Sequence, residues 1–114
     1  MKLEGTQKRL TIFIGDKHGH TPLATGIVHR AHAAGLAGAT VLRGVEGYGA
    51  SNHVHTTRVL SISDDLPMII LIVDNHERID AFLPQLDELI TEGLVIVDDV
   101  DVVKCIGRPG PATQ

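Results

Sequence analysis

Residues 68–74, MIILIVD, constrain the fold more than any other stretch, because both of their alternations are apolar. A strand with one wetted face alternates polar and apolar side chains, so this run belongs at the centre of a sheet covered on both faces. Residues 8–15, KRLTIFIG, have a similar character, with Leu10, Ile12 and Ile14 on one side and Thr11 and Phe13 on the other. Two helical patterns accompany these strands. Thr21 as N-cap and Pro22 at the first helical position start one, whose Leu23, Ile27, Ala31 and Ala34 share a face and which Gly35 ends. Asp74 or Asn75 caps the other, whose stripe is Ile79, Phe82, Leu83, Leu86 and Ile90 and which stops at Gly93. Pro84 lies inside that stripe and predicts a kink or a split.

Residues 39–47, ATVLRGVEG, read as a further strand, entered through Gly35-Leu36-Ala37-Gly38. The glycine- and small-polar-rich segment 47–57 reads as a projecting loop, 58–62 as weak strand, and SDDLP at 63–67 as a turn. A last strand begins at Leu94, with Asp98 and Asp99 marking a bulge or irregularity. The order β-α-β-loop-β-α-β defines an α+β, ferredoxin-like βαββαβ sandwich. It occupies 8–106 as a single domain, between a tail at 1–7 and a Pro- and Gly-containing tail at 107–114. Two helices cover one face of a four-stranded sheet, so the apolar residues on the other face call for a second subunit.

Composition excludes several classes. The chain has 114 residues, a net charge of −4, no Trp, one Tyr and two Phe, which leaves a stacked nucleic-acid surface almost nothing to build on. Residues 1–57 carry six basic and three acidic side chains, whereas 58–114 carry four and eleven, so a local positive pocket is compatible with an acidic whole. No apolar run approaches the roughly 18 residues of a membrane span. One cysteine, Cys105, and a start, MKLEGTQKRL, without an apolar leader core point to the cytoplasm.

Gly35-Leu36-Ala37-Gly38-Ala39-Thr40-Val41, Arg43 and Gly47-Tyr48-Gly49 are followed by His55-Thr56-Thr57-Arg58, Asp65-Leu66-Pro67 and Ala81-Phe82-Leu83-Pro84. This combination resembles family 190 of the domains of unknown function (DUF190, UPF0166-like) over about residues 8–105, a family similar to the PII nitrogen-regulatory signalling proteins. The resemblance implies a PII-like homotrimer of ferredoxin-like subunits, an adenine nucleotide or related anion held between neighbours, and a loop, here about 47–57, that contacts a protein partner. Two departures accompany it. Where PII proteins have a glycine- and basic-rich phosphate loop before the last strand, this chain reads Thr91-Glu92-Gly93-Leu94-Val95-Ile96, and no tyrosine lies between Gly49 and Arg58 to accept a nucleotidyl group.

The residues themselves suggest an anion site. Gly44, Gly47 and Gly49 can present backbone N–H groups to a ligand, Arg43, Arg58, Lys104 and Arg108 can donate charged hydrogen bonds to phosphate, and Tyr48 can stack on a base. The four cations lie so far apart in the chain order that they converge only across a subunit boundary or through the loop. The alternatives are a structural trimer without ligand, and a metal-binding trimer using His18 with His20 and His53 with His55, each pair pointing to one side of an extended segment. His29 and His32 fall on the polar edge of the first helix. The sequence has neither a Gly-x-Ser-x-Gly nor a Lys-Ser/Thr phosphate loop, and its acids Asp64, Asp65, Asp98, Asp99 and Asp101 lie in turns and strand ends. A non-enzymatic protein is therefore expected, with no resident cofactor or metal.

Overall fold

The structure, a computed structural model, describes residues 3–17, 23–48, 55–56 and 65–107. Its elements in chain order are β1 (Gly5–Lys17), α1 (Leu23–Ala33), β2 (Thr40–Arg43), β3 (Glu46–Gly47), β4 (His55–Thr56), β5 (Asp65–Asp74), α2 (His76–Leu89) and β6 (Leu94–Val102). The main sheet is antiparallel in the order β2-β5-β1-β6, and β3 and β4 pair separately as a short hairpin. The order follows from hydrophobicity. The two runs that are apolar on both alternations, β1 and β5, take the central places, paired from Lys8 with Asp74 to Lys17 with Asp65.

The core lies between this sheet and the two helices. Leu10, Ile12 and Ile14 of β1 and Ile70 and Ile72 of β5 meet Ala24, Ile27 and Ala31 of α1 and Ile79, Phe82 and Leu86 of α2. The small residues of α1 let its backbone approach the sheet, while Phe82 fills the volume under α2. α1 ends in a Schellman motif: the Leu36 N–H donates to the Ala31 carbonyl at 3.1 Å and the Gly35 N–H to that of His32 at 3.1 Å, with Gly35 at φ 79°. Asn75 caps α2, its side chain accepting from the Arg78 N–H at 2.8 Å.

Several expectations change. β1 starts at Gly5, inside the expected tail, because Thr6 and Gln7 find partners in Asp101 and Val100 of β6. α2 runs through Pro84 without a split; the proline is exposed, and Phe82 and Leu86 anchor the helix on either side of it. No bulge occurs at Asp98 and Asp99, where the β1–β6 register is continuous from Gly5 with Val102 to Phe13 with Leu94. Instead these acids face Arg9 and Lys8 across the ladder and form ion pairs with them. Asp65, Leu66 and Pro67 belong to β5, because β1 is long enough to pair with them. Ala34 is exposed beyond α1, and the buried stripe of that helix is Ala24, Ile27 and Ala31. The cap at Thr21-Pro22 and the weak strand at 58–62 lie outside the described residues.

The helix-free face carries one fully apolar row and a mixed one beside it. Leu42, Ile69, Phe13 and Leu94 lie side by side across all four strands, and Thr40, Leu71, Thr11 and Ile96 form the next row. Leu42 is 45% and Leu94 55% exposed, so the row reaches both sheet edges uncovered.

One glycine is fixed by geometry. Gly93 takes φ 156°, and a Cβ there would lie 2.6 Å from the Phe13 carbonyl oxygen. Gly93→Ala should therefore lower the unfolding free energy by about 2–4 kcal/mol, whereas Gly38→Ala, where a Cβ meets nothing within 4 Å, should change it by less than about 1. Urea unfolding of both variants at one protein concentration checks this; equal stability would remove the constraint assigned to Gly93.

Candidate ligand and assembly site

Arg43 ends β2 opposite Met68, and the chain then leaves the main sheet. Gly44 makes the departure possible. Its N–H donates to the Pro67 carbonyl at 2.7 Å, and a Cβ would stand 3.1 Å from that of Pro67. Pro67, which has no N–H to give, thus contributes its carbonyl at the point where β2 ends. Val45 and Tyr48 follow with 72% and 70% exposure, and Gly47 pairs with His55 in the hairpin. Arg43, Gly44, Gly47 and Tyr48 are therefore gathered at one end of the β2 edge, with Arg43 and Tyr48 directed to solvent.

Lys104 is elsewhere. β6 begins beside Phe13 and ends beside Gly5, so Lys104, just past Val102, lies at the opposite end of the opposite edge. Along β1, the interval from Ile14, level with Arg43, to Gly5, level with Val102, is about 30 Å. One subunit does not bring Arg43 and Lys104 together. Gly49, Arg58, Arg108, His18, His20 and His53 lie outside the described residues, as does the side chain of His55. Among the described residues, no group of three or more His, Cys, Asp or Glu side chains is placed to hold a metal ion. His29 and His32 are exposed on α1, and Cys105 is exposed beyond β6.

The sequence motif 35–41 acts as a joint. The buried Asp74 carboxylate accepts from the Ala37 N–H at 2.9 Å and from the Asn75 N–H at 2.7 Å, and the Arg78 guanidinium donates to the Gly35 carbonyl at 2.7 Å. These bonds clamp the α1–β2 connection to the start of α2, so the glycines of 35–38 serve chain reversal here. The signal for Asp74 was available: an acid ends an otherwise wholly apolar run, and a buried carboxylate requires donors.

A second feature emerges only in three dimensions. An open groove of about 650 Å³ runs between the end of α2 and the start of β6, floored by Leu83, Leu86, Ile90 and Val95 and rimmed by Asp87 and Glu92. Asp98 on the adjoining strand is already engaged and raises the pKa of Arg9, through its hydrogen bonds first and its charge second.

A four-stranded antiparallel sheet in this order, with two helices on one face, is a ferredoxin-like fold of the PII type. It resembles CPII, a nitrogen regulatory PII-like protein from Thiomonas intermedia solved with ADP, AMP and bicarbonate (TM-score 0.57, 22% identity, 87% of this chain and 90% of that one). It also resembles CutA from Synechococcus elongatus (TM-score 0.54, 12% identity, 90% and 83%). At these identities the likeness defines the fold. The sequence matches DUF190, described as an uncharacterized ACR family, over residues 7–102, and the chain belongs to that family. A UPF0166 protein of Methanocaldococcus jannaschii is 37% identical over 100 residues, covering 85% of this chain and 92% of its own. One from Aquifex aeolicus is 30% identical over 99 residues, covering 85% and 93%.

Asp74→Asn keeps the shape of the joint but turns an amide toward backbone donors. It should cost about 1.5–3 kcal/mol of stability by chemical unfolding; an unchanged midpoint would mean that the carboxylate is not what holds Ala37.

Proposed function

We propose that this protein is a PII-like regulatory protein that assembles as a trimer and binds an adenine nucleotide or related anion between subunits. The ligand contacts are Arg43, Gly44, Gly47, Tyr48 and Gly49, together with Arg58, and the 47–57 loop meets a protein partner. The protein is a non-catalytic, cytoplasmic sensor in this reading. The observation that carries it is the coincidence of two features at one end of the sheet. One row of the helix-free face is apolar out to both edges, and Arg43, Gly44, Gly47 and Tyr48 cluster where the β2 edge meets the hairpin. The nucleotides bound by CPII support the choice of ligand class. Charge supports it as well, since Arg43 has no carboxylate partner among the described residues and is available to an anion.

The turn before β6 weighs against a triphosphate preference. Thr91-Glu92-Gly93 contains an acid and no cation, and Gly93 is held against the Phe13 carbonyl rather than presented to a ligand. ATP should therefore bind no more tightly than AMP or cyclic AMP.

Two measurements test the proposal. Light scattering on the purified protein should give three times the 12.2 kDa chain mass, and Leu42→Asp, which places a charge in the exposed apolar row, should shift it to the monomer with far-ultraviolet circular dichroism retained. A wild-type monomer at micromolar concentration would reject the inter-subunit site. Calorimetric titration with ATP, ADP, AMP and cyclic AMP should show binding that Arg43→Ala and Arg58→Ala each weaken about 10- to 150-fold. No binding of any of the four by the assembled wild type would reject the adenine ligand, and unchanged affinity in a variant would reject the role of that arginine.

A further inference from the structure

Helix α1 turns Ala24, Ile27 and Ala31 to the core and leaves His29 and His32 exposed on its outer side. Three residues apart on a helix, two side chains are neighbours, with Cβ atoms about 5–6 Å from one another. His29, His32 and His76 are the histidines whose side chains the structure describes, and one of them is engaged. His76 Nε2 lies 2.9 Å from the Asp80 carboxylate, whereas neither imidazole on α1 has a hydrogen-bond or ionic partner among the described residues.

The surroundings of this pair suit a metal ion. Its neighbours on the helix surface, Thr25, Gly26, Val28 and Ala33, are all short, and a Cβ on Gly26 would meet nothing within 4 Å. Bulk therefore does not close the approach to either ring. Charge does not oppose it strongly either. Arg30 lies between the two histidines in sequence, but its guanidinium turns toward α2, where Nη1 stands 3.5 Å from the Gln85 side-chain oxygen and 3.7 Å from the Glu88 carboxylate. Arg78, the cation nearest the end of the helix, donates to the Gly35 carbonyl at 2.7 Å. Residues 23–33 include no Asp or Glu, so a cation that seeks oxygen, such as magnesium or calcium, finds no carboxylate on this helix. Imidazole is what the surface offers, and imidazole suits zinc, nickel and copper.

We propose that His29 and His32 together chelate one divalent cation of the zinc, nickel or copper(II) class, each ring giving one nitrogen and water completing the coordination sphere. With two protein ligands the site holds its metal weakly and exchangeably, and its open positions accept a donor atom from another molecule. It lies on the helix layer, across the core from the helix-free face, and so depends on neither the trimer nor the nucleotide reading. It is also a different pair from His18 with His20 and His53 with His55, and it rests on helical spacing instead of an extended segment.

Titration of the full, tag-free chain with zinc chloride, followed by the amide resonances of residues 28–34 in proton–nitrogen spectra, reads this site apart from the other histidines. These amides should shift and saturate, and substoichiometric copper(II) should broaden the same set. His29→Ala and His32→Ala should each lower the zinc affinity at least about tenfold, since either removes one arm of the chelate. Adding Ala33→His to His32→Ala pairs position 33 with His29 four residues apart, again on one face, and should restore the affinity to within about threefold of wild type. Shifts on α1 that do not saturate, or that persist unchanged in either single variant, overturn the site. So does a relocated pair that binds no better than His32→Ala alone, because both imidazoles would then not share one metal.

Discussion

The β1–β5 pairing is the contact on which the rest of the molecule depends. It is the one ladder that joins two strands apolar on both alternations, and it determines what each face of the sheet presents. Leu10, Ile12, Ile70 and Ile72 on one side give the helices a surface to cover, and burying side chains of this kind contributes roughly 1.5–3 kcal/mol apiece before chain entropy is counted. Phe13, Ile69 and Leu71 on the other side give the helices nothing to reach, because both pack on the first face. A slip of one residue would exchange the two sets, so the register that builds the core also creates the uncovered face.

The outer strands are fitted to this frame by polar contacts. Lys8 and Arg9 hold Asp99 and Asp98 at one edge, exposed pairs that contribute more to register than to stability. At the other edge the Gly44 to Pro67 bond ends β2 and releases the chain toward the hairpin. Asp74, buried and satisfied by backbone donors, connects the turn after α1 to the cap of α2. Each of these stands at a junction between elements, where the apolar pattern gives no instruction.

This explains what was legible in the sequence. Two-sided apolar runs, the Asn75 cap and the Gly35 stop are local signals, and they suffice for the element order and the ferredoxin-like arrangement. The fate of Asp98 and Asp99 was not local: two adjacent acids look like an interruption until Lys8 and Arg9, some ninety residues away, are seen opposite them. Pro84 misled for a related reason, since its local cost is outweighed by the packing of Phe82 and Leu86. For the site, Arg43, Gly44 and Gly47 stand together at the end of β2 because they are neighbours in the chain, but chain order could not show that Lys104 lies at the opposite corner. The groove under α2 was invisible because its lining comes from a helix stripe and an edge strand that alternation alone reads as buried.

Tyr48 is the only tyrosine in a chain without tryptophan. It stands 70% exposed at the root of the hairpin, away from the aliphatic core. Under excitation beyond the phenylalanine band, the intrinsic emission of this protein therefore originates at a single position, next to Gly47 in the chain. A purine stacked on the ring, or a neighbouring molecule closing over it, quenches or shifts that signal directly. The molecule carries its own optical reporter, placed on the part of the surface where binding is expected.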